Sequence, residues 1–144
     1  MANYTIRKFE ADVDAWIEAA EQNLLYVVET SCEAVLRDLV MLSPVDTGRF
    51  KGNWQITFNQ PAFYALNEYD KEGGKTINAG RRALSVYAST KGAGITSVYF
   101  SNMLIYANAL EHGHSQQAPA GVLGIVAVRL RYYFAFAVRE ARSR

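Results

Sequence analysis

Apolar residues recur in steps of three and four from about Asp12 to Leu42: Val13, Trp16 and Ile17, Ala20, Leu24, Val27 and Val28, Cys32, Val35 and Leu36, Leu39, Leu42. That is the period of a helix with one buried face. Asp12 suits the N-cap and Asp14 the first turn, where a carboxylate meets the positive end of the helix dipole. About 30 residues at roughly 1.5 Å each make ~45 Å of helix, so the stripe needs a sheet or a second helix along its length. Residues 1–9 read as extended or frayed.

Pro44 stops this helix, because its ring clashes with helical geometry and biases Ser43 out of it. Asp46-Thr47-Gly48 is turn chemistry: an Asp side chain can bond the backbone ahead, and glycine accepts positive φ. Arg49 and Lys51 then give the corner a basic rim. Trp54-Gln55-Ile56-Thr57-Phe58 alternates as a strand does. Residues 61–74 read as a long, mobile loop, Lys75–Ala88 as a short helix and Lys91–Gly94 as a tight turn. Ile95–Ser101, rich in β-branched and aromatic residues, is the clearest strand. Leu104–Glu111 reads as a short helix ended by Gly113, and His114–Ala120 as a loop. For Gly121–Val128 periodicity leaves strand and helix open; the reading adopted is a strand handing over to a helix near Arg129, with Tyr132–Arg142 closing the chain. The sum is one domain, 1–144, of α+β class. Its long N-terminal helix and C-terminal helix pack on a small antiparallel or mixed sheet.

Composition changes this picture little. The 144 residues suit one domain, and half of them are hydrophobic, enough for a sizeable core. Cys32 is the single cysteine, so no intrachain disulfide exists; its apolar position marks it as a buried thiol. No apolar run reaches the roughly 18 residues of a membrane helix, and the N-terminus lacks a signal-peptide pattern. A cytoplasm-like compartment is therefore expected.

Charge adds more. Net charge is +1, yet residues 10–40 hold eight acids (Glu10, Asp12, Asp14, Glu18, Glu21, Glu29, Glu33, Asp38) and one base, Arg37. Residues 41–144 hold twelve bases and six acids. One reading is a solvated acidic face. The other is head-to-tail contact, the acidic face of one copy meeting the basic face of the next, which closes into a ring if the rotation allows.

Candidate chemistry is thin. Gly73-Gly74-Lys75-Thr76 resembles the end of a phosphate loop, but Tyr69 stands where the pattern needs its first glycine, and a surface turn explains it better. His112 and His114, with Glu111, would be a metal site only with further ligands, and none lies nearby in sequence. Their alternative use, with Gln116 and Gln117, is a polar loop bonding a neighbouring subunit. Ser115 lacks a nucleophile elbow, the acids of the first helix do not pair, and Asp46 is better explained as a turn residue than as a base. No enzymatic activity, metal or cofactor is expected. Arg49, Lys51, Arg81, Arg82, Arg129, Arg131 and above all the terminal Arg139, Arg142 and Arg144 would suit phosphate, or would simply complement the end of a helix. Tyr64, Tyr69, Tyr99 and Tyr106 suit an interface, where a large ring with a polar tip is favoured.

Two blocks carry a resemblance. Pro44-Val45-Asp46-Thr47-Gly48-Arg49, followed by Gly52-Asn53-Trp54, resembles the signature of the tail-completion or neck proteins of long-tailed bacteriophages. Tyr106 to Gly121, with Tyr106-Ala107, Leu110-Glu111, Gly113 and Pro119, resembles that family's second segment. Together they cover about a fifth of the chain, in the family's order; the helix–sheet–helix layout extends the likeness over most of it. The resemblance implies a structural virion protein at the head–tail junction, built in the host cytoplasm. It implies a homo-oligomeric ring around the DNA channel, six copies first and twelve as the alternative. Implied partners are other neck and tail proteins and DNA in the channel, with no membrane. It makes Asp46, Thr47, Arg49, Lys51, Tyr106, Glu111, His112, His114, Gln116 and Gln117 the expected assembly interface, with Arg49 and Glu111 as salt-bridge candidates. Arg139, Arg142 and Arg144 are the candidate DNA-channel contacts. The competing reading is a small nucleic-acid-binding module using the arginine-rich C-terminus.

Overall fold

The computed structural model describes residues 2–113, 116–117 and 121–144; the side chains of 2–13, Trp16 and Asn108 lie outside the described set. Helix α1 spans Ala2–Leu42, a one-turn α2 Arg49–Gly52, strand β1 Trp54–Phe58, α3 Gly74–Ser89, β2 Val98–Asn102, a short α4 Ala107–Glu111, and α5 Leu123–Arg142. The class is α+β, with α1 and α5 on a two-stranded antiparallel sheet. Its register runs from Trp54 opposite Asn102 to Phe58 opposite Val98.

Helix α1 begins ten residues before the expected Asp12 N-cap, and residues 2–9 are helical rather than extended. No glycine or proline precedes Pro44, so nothing in the sequence ends the helix early. Among the described side chains of α1, those of its C-terminal half are the covered ones. Every described side chain from Asp14 to Leu24 is exposed, whereas Cys32, Val35, Leu36, Leu39 and Val40 are buried. Of these, Val35, Leu36, Leu39 and Val40 meet Phe50, Trp54, Ile77, Leu104, Val122 and Val126 in the core. Gly80 lets α3 approach α1, since a Cβ there would stand 2.0 Å from Leu36 Cδ2. Helix α5 runs antiparallel to α1: Arg129 Nη1 donates to Asp38 Oδ2 at 3.2 Å, and just past the end of α5 the Arg144 guanidinium lies 4.2 Å from the Tyr26 ring centroid.

The third strand expected in Gly121–Val128 is not formed; the segment opens α5 instead. Glu111 decides this. Its Oε1 accepts from the N–H of Val122 (2.8 Å) and Leu123 (2.7 Å), and its Oε2 from Gly124 (2.9 Å). A carboxylate that satisfies three otherwise orphaned donors and faces the positive helix end fixes a helix start. Gly121, at φ +78°, turns the chain into it; a Cβ there would strike Glu111. The loop expected at 61–74 is present but not loose: Asp70 is buried, and its N–H donates to Gly48 O at 2.9 Å.

Candidate functional site

The corner from Ser43 to Trp54 is held by polar bonds within itself and to other parts of the chain. Ser43 Oγ donates to Leu39 O (2.6 Å), closing the last turn of α1, and accepts from Trp54 Nε1 at 2.7 Å. Gly48 has φ +87°, and a Cβ on it would lie 2.6–2.8 Å from the backbone of Asp70 and Lys71. Its carbonyl accepts from both Gly52 N and Asp70 N. Asn53 is fully buried: Nδ2 donates to Arg49 O at 2.7 Å, and Oδ1 accepts from Leu66 N at 2.6 Å. The expected turn bond comes from Thr47 rather than Asp46. Thr47 Oγ1 accepts from Arg49 N at 3.3 Å, and Asp46 is exposed.

The fold brings the second sequence block onto this corner. The Gln117 amide lies against the Val45 backbone as a neighbouring strand would: its Oε1 accepts from Val45 N (2.8 Å) and its Nε2 donates to Val45 O (2.9 Å). Tyr106 packs on Phe50 at 6.4 Å between centroids, and Phe50 meets Trp54 edge-on at 5.7 Å. Between the blocks lies an open pocket of about 250 Å³, lined by Pro44 to Phe50, Tyr106, Leu110 and Gln117. Arg49 lines it; its Nε is buried without a hydrogen-bond partner, and no ion pair reaches it among the described residues.

The expected interface residues therefore divide. Asp46, Thr47, His112, Gln116 and Gln117 are exposed, as is Tyr106, while Arg49 is half-buried. His114 lies outside the described residues. Lys51 is corrected: it is 6 % exposed, its stem packed beside Gly73, and belongs to no basic rim. Glu111, expected as a salt-bridge candidate, spends both oxygens on the start of α5. Burial pushes its carboxyl up, but the three N–H groups and the nearby His112 outweigh burial and hold it below the usual carboxylate range.

The phosphate-loop likeness is resolved by Asp70, which the sequence reading passed over. Its Oδ1 accepts from Gly73 N (2.9 Å), and its Oδ2 from Thr76 N and Oγ1 (both 2.8 Å). Burial raises the Asp70 carboxyl, but those bonds and the charge of Lys75 bring it below its ordinary value. The start of α3 is thus occupied by the protein's own anion, and the segment is a helix start rather than the surface turn expected. An acid ahead of two glycines and a helical pattern was the available signal. Cys32 is buried, and burial pushes its thiol up to about 11, which leaves it protonated and unreactive at neutral pH. Among the described residues no group of three His, Cys, Asp or Glu side chains is placed to hold a metal, and no helix is long and apolar enough to cross a membrane.

Part of the charge asymmetry is used inside the chain. Glu33 pairs with Arg81 (2.7 Å) and Arg37 (3.3 Å), and Asp38 pairs with Arg129 and accepts from the Tyr133 hydroxyl. Arg144 lies over Tyr26, while Arg139 and Arg142 are exposed in the last turns of α5. Comparison with models of known families, with curated proteins and with solved structures finds no match.

Proposed function

We propose that this chain is a structural component of the head–tail junction of a long-tailed bacteriophage, acting as a ring-forming subunit around the DNA channel. One observation carries the reading: the two sequence blocks resembling neck proteins, 72 residues apart at Val45 and Gln117, converge on one surface. That surface has the character of a docking site. Its backbone is rigidly bonded, its rim offers Asp46, Thr47, Tyr106, His112 and Gln116, and Arg49 brings a cation that no ion pair reaches among the described residues. An anionic group of a neighbouring copy or neck protein meeting Arg49 sets register and partner choice more than raw affinity. The nucleic-acid-module alternative has no separate observation in its favour, since Arg144 is engaged on Tyr26 and the other terminal arginines follow the helix-end rule.

The test is electron microscopy of particles made with this gene deleted from its phage. Filled heads and finished tails lying unjoined, or tails with defective head-proximal ends, are expected; intact infectious virions would overturn the reading. Arg49→Glu is expected to leave the purified domain folded, with an unchanged circular-dichroism spectrum, while abolishing infectious yield. Wild-type yield from that variant would remove Arg49 from the docking surface.

A further inference from the structure

A second surface lies away from the corner. Between the C-terminal half of α1, strand β2 and helix α5 runs an open groove of about 490 Å³, walled by Val28, Cys32, Val98, Phe100, Leu130 and Phe134 among others. Leu130 and Phe134 remain 40 % and 46 % exposed. A solvent-facing apolar trough of this kind marks an interaction surface.

The free half of α1 has the matching character. At 100° per residue, Ile17, Ala20 and Leu24 share one stripe, and Asp14, Glu18 and Glu21 line one flank of it. Ile17 and Leu24 are 43 % and 64 % exposed, and no ion pair reaches the three acids among the described residues. The groove is its complement. On α5, Ala127, Leu130 and Phe134 face the trough, and Arg131 and Arg142, both exposed, follow on the flank beyond them. An apolar stripe with an acidic edge thus stands opposite an apolar trough with a basic edge. Pairing two free α1 halves with each other would instead bring two acidic flanks together.

Resting on the ring reading above, we infer that the free half of α1 of one copy docks in the α1–β2–α5 groove of the next. Ile17 and Leu24 enter the trough, and Asp14, Glu18 and Glu21 face Arg131 and Arg142. The helix and its groove are different surfaces of the same chain, so the contact is heterologous and repeats from copy to copy, making a ring where its rotation closes. It also explains why α1 carries its apolar stripe past the end of the core.

The experiment mixes equal amounts of two full-length variants, Ile17→Cys and Leu130→Cys, under mild oxidation; Cys32, which lines the trough, is replaced by Ser in both. The expected product is a disulfide-linked pair joining position 17 of one variant to position 130 of the other, identified by peptide mass spectrometry. Arg131→Glu with Arg142→Glu lowers its yield about tenfold, and adding Glu18→Lys with Glu21→Lys on the helix variant restores it. Only 17–17 or 130–130 links would overturn the inference. So would absence of the 17–130 link in a protein that sedimentation shows to be oligomeric, an outcome that leaves the ring reading standing. A protein monomeric at every concentration would overturn both the docking and self-association of the isolated chain, while the gene-deletion test still judges the junction role.

Discussion

The corner at Ser43–Trp54 and the free half of α1 are opposites. In the corner, Ser43, Asn53, Gly48 and Gln117 bond to other parts of the same chain, and the residues most noticeable in the sequence are explained by the fold itself. In the free half of α1, no described side chain is covered, yet the stripe keeps its helical spacing. A noticeable sequence motif can thus be mostly a folding device with a small outward-facing remainder, here Arg49 and the rim. A plain amphipathic repeat can carry the larger unmet demand for a partner.

Substitutions that break the corner should have the largest effects. Trp54→Ala removes a buried ring and leaves Ser43 Oγ without its donor, and should cost about 3–5 kcal/mol, read as a large fall in melting temperature. An unchanged melting temperature would show that the ring contributes nothing to the core. Gly48→Ala combines strain at positive φ with a Cβ inside contact distance of the Asp70–Lys71 backbone, and about 2–4 kcal/mol is expected by chemical denaturation. A loss under ~0.5 kcal/mol would mean that the loop yields freely.

Glu111 sharpens the comparison through pH. Its carboxyl is held below the ordinary range in the folded protein, so ionisation stabilises the fold. That contribution is complete above the unfolded value near pH 4.3 and is lost as pH falls through the lower folded value. Glu111→Gln should lower the melting temperature at neutral pH and flatten its decline below about pH 4. Parallel pH profiles for the two proteins would show that Glu111 contributes nothing to the acid sensitivity. The smallest effect on stability belongs to the free helix: Ile17→Ser should change unfolding free energy by no more than about 0.5 kcal/mol. The same change should weaken self-association in sedimentation velocity; a marked loss of stability would mean that the helix end is already docked within its own chain.

Much of the fold was legible. Strand β1 falls on the expected Trp54–Phe58, α3 within a residue of its expected ends, and Gly48 and Gly113 adopt the positive φ their turns require. Those features rest on local chemistry. What escaped depends on distant partners. Gly121–Val128 reads equally as strand or helix until a carboxylate ten residues upstream caps it. Asp70 looks like any loop acid until its bonds to Gly73 and Thr76 are known. Lys51, on a four-residue helix the sequence reading did not anticipate, turned inward for the same reason. In the candidate site, the sequence brought the two blocks to notice but not their contact, because an amide clamping a backbone 72 residues away leaves no periodic trace.

The antiparallel packing of α1 against α5 also has a consequence in time. Roughly 80 residues separate Leu42 from Leu123, and a ribosome needs on the order of ten seconds to add them at about 5–20 residues per second. Throughout that interval Leu36, Leu39 and Val40 lack Val122 and Val126, so the core they share with Phe50, Trp54, Ile77 and Leu104 stays open on the side that α5 later covers. The groove beside α5 does not exist until synthesis of that helix is done. Finished copies, rather than growing ones, are therefore the first that can receive a neighbour's helix.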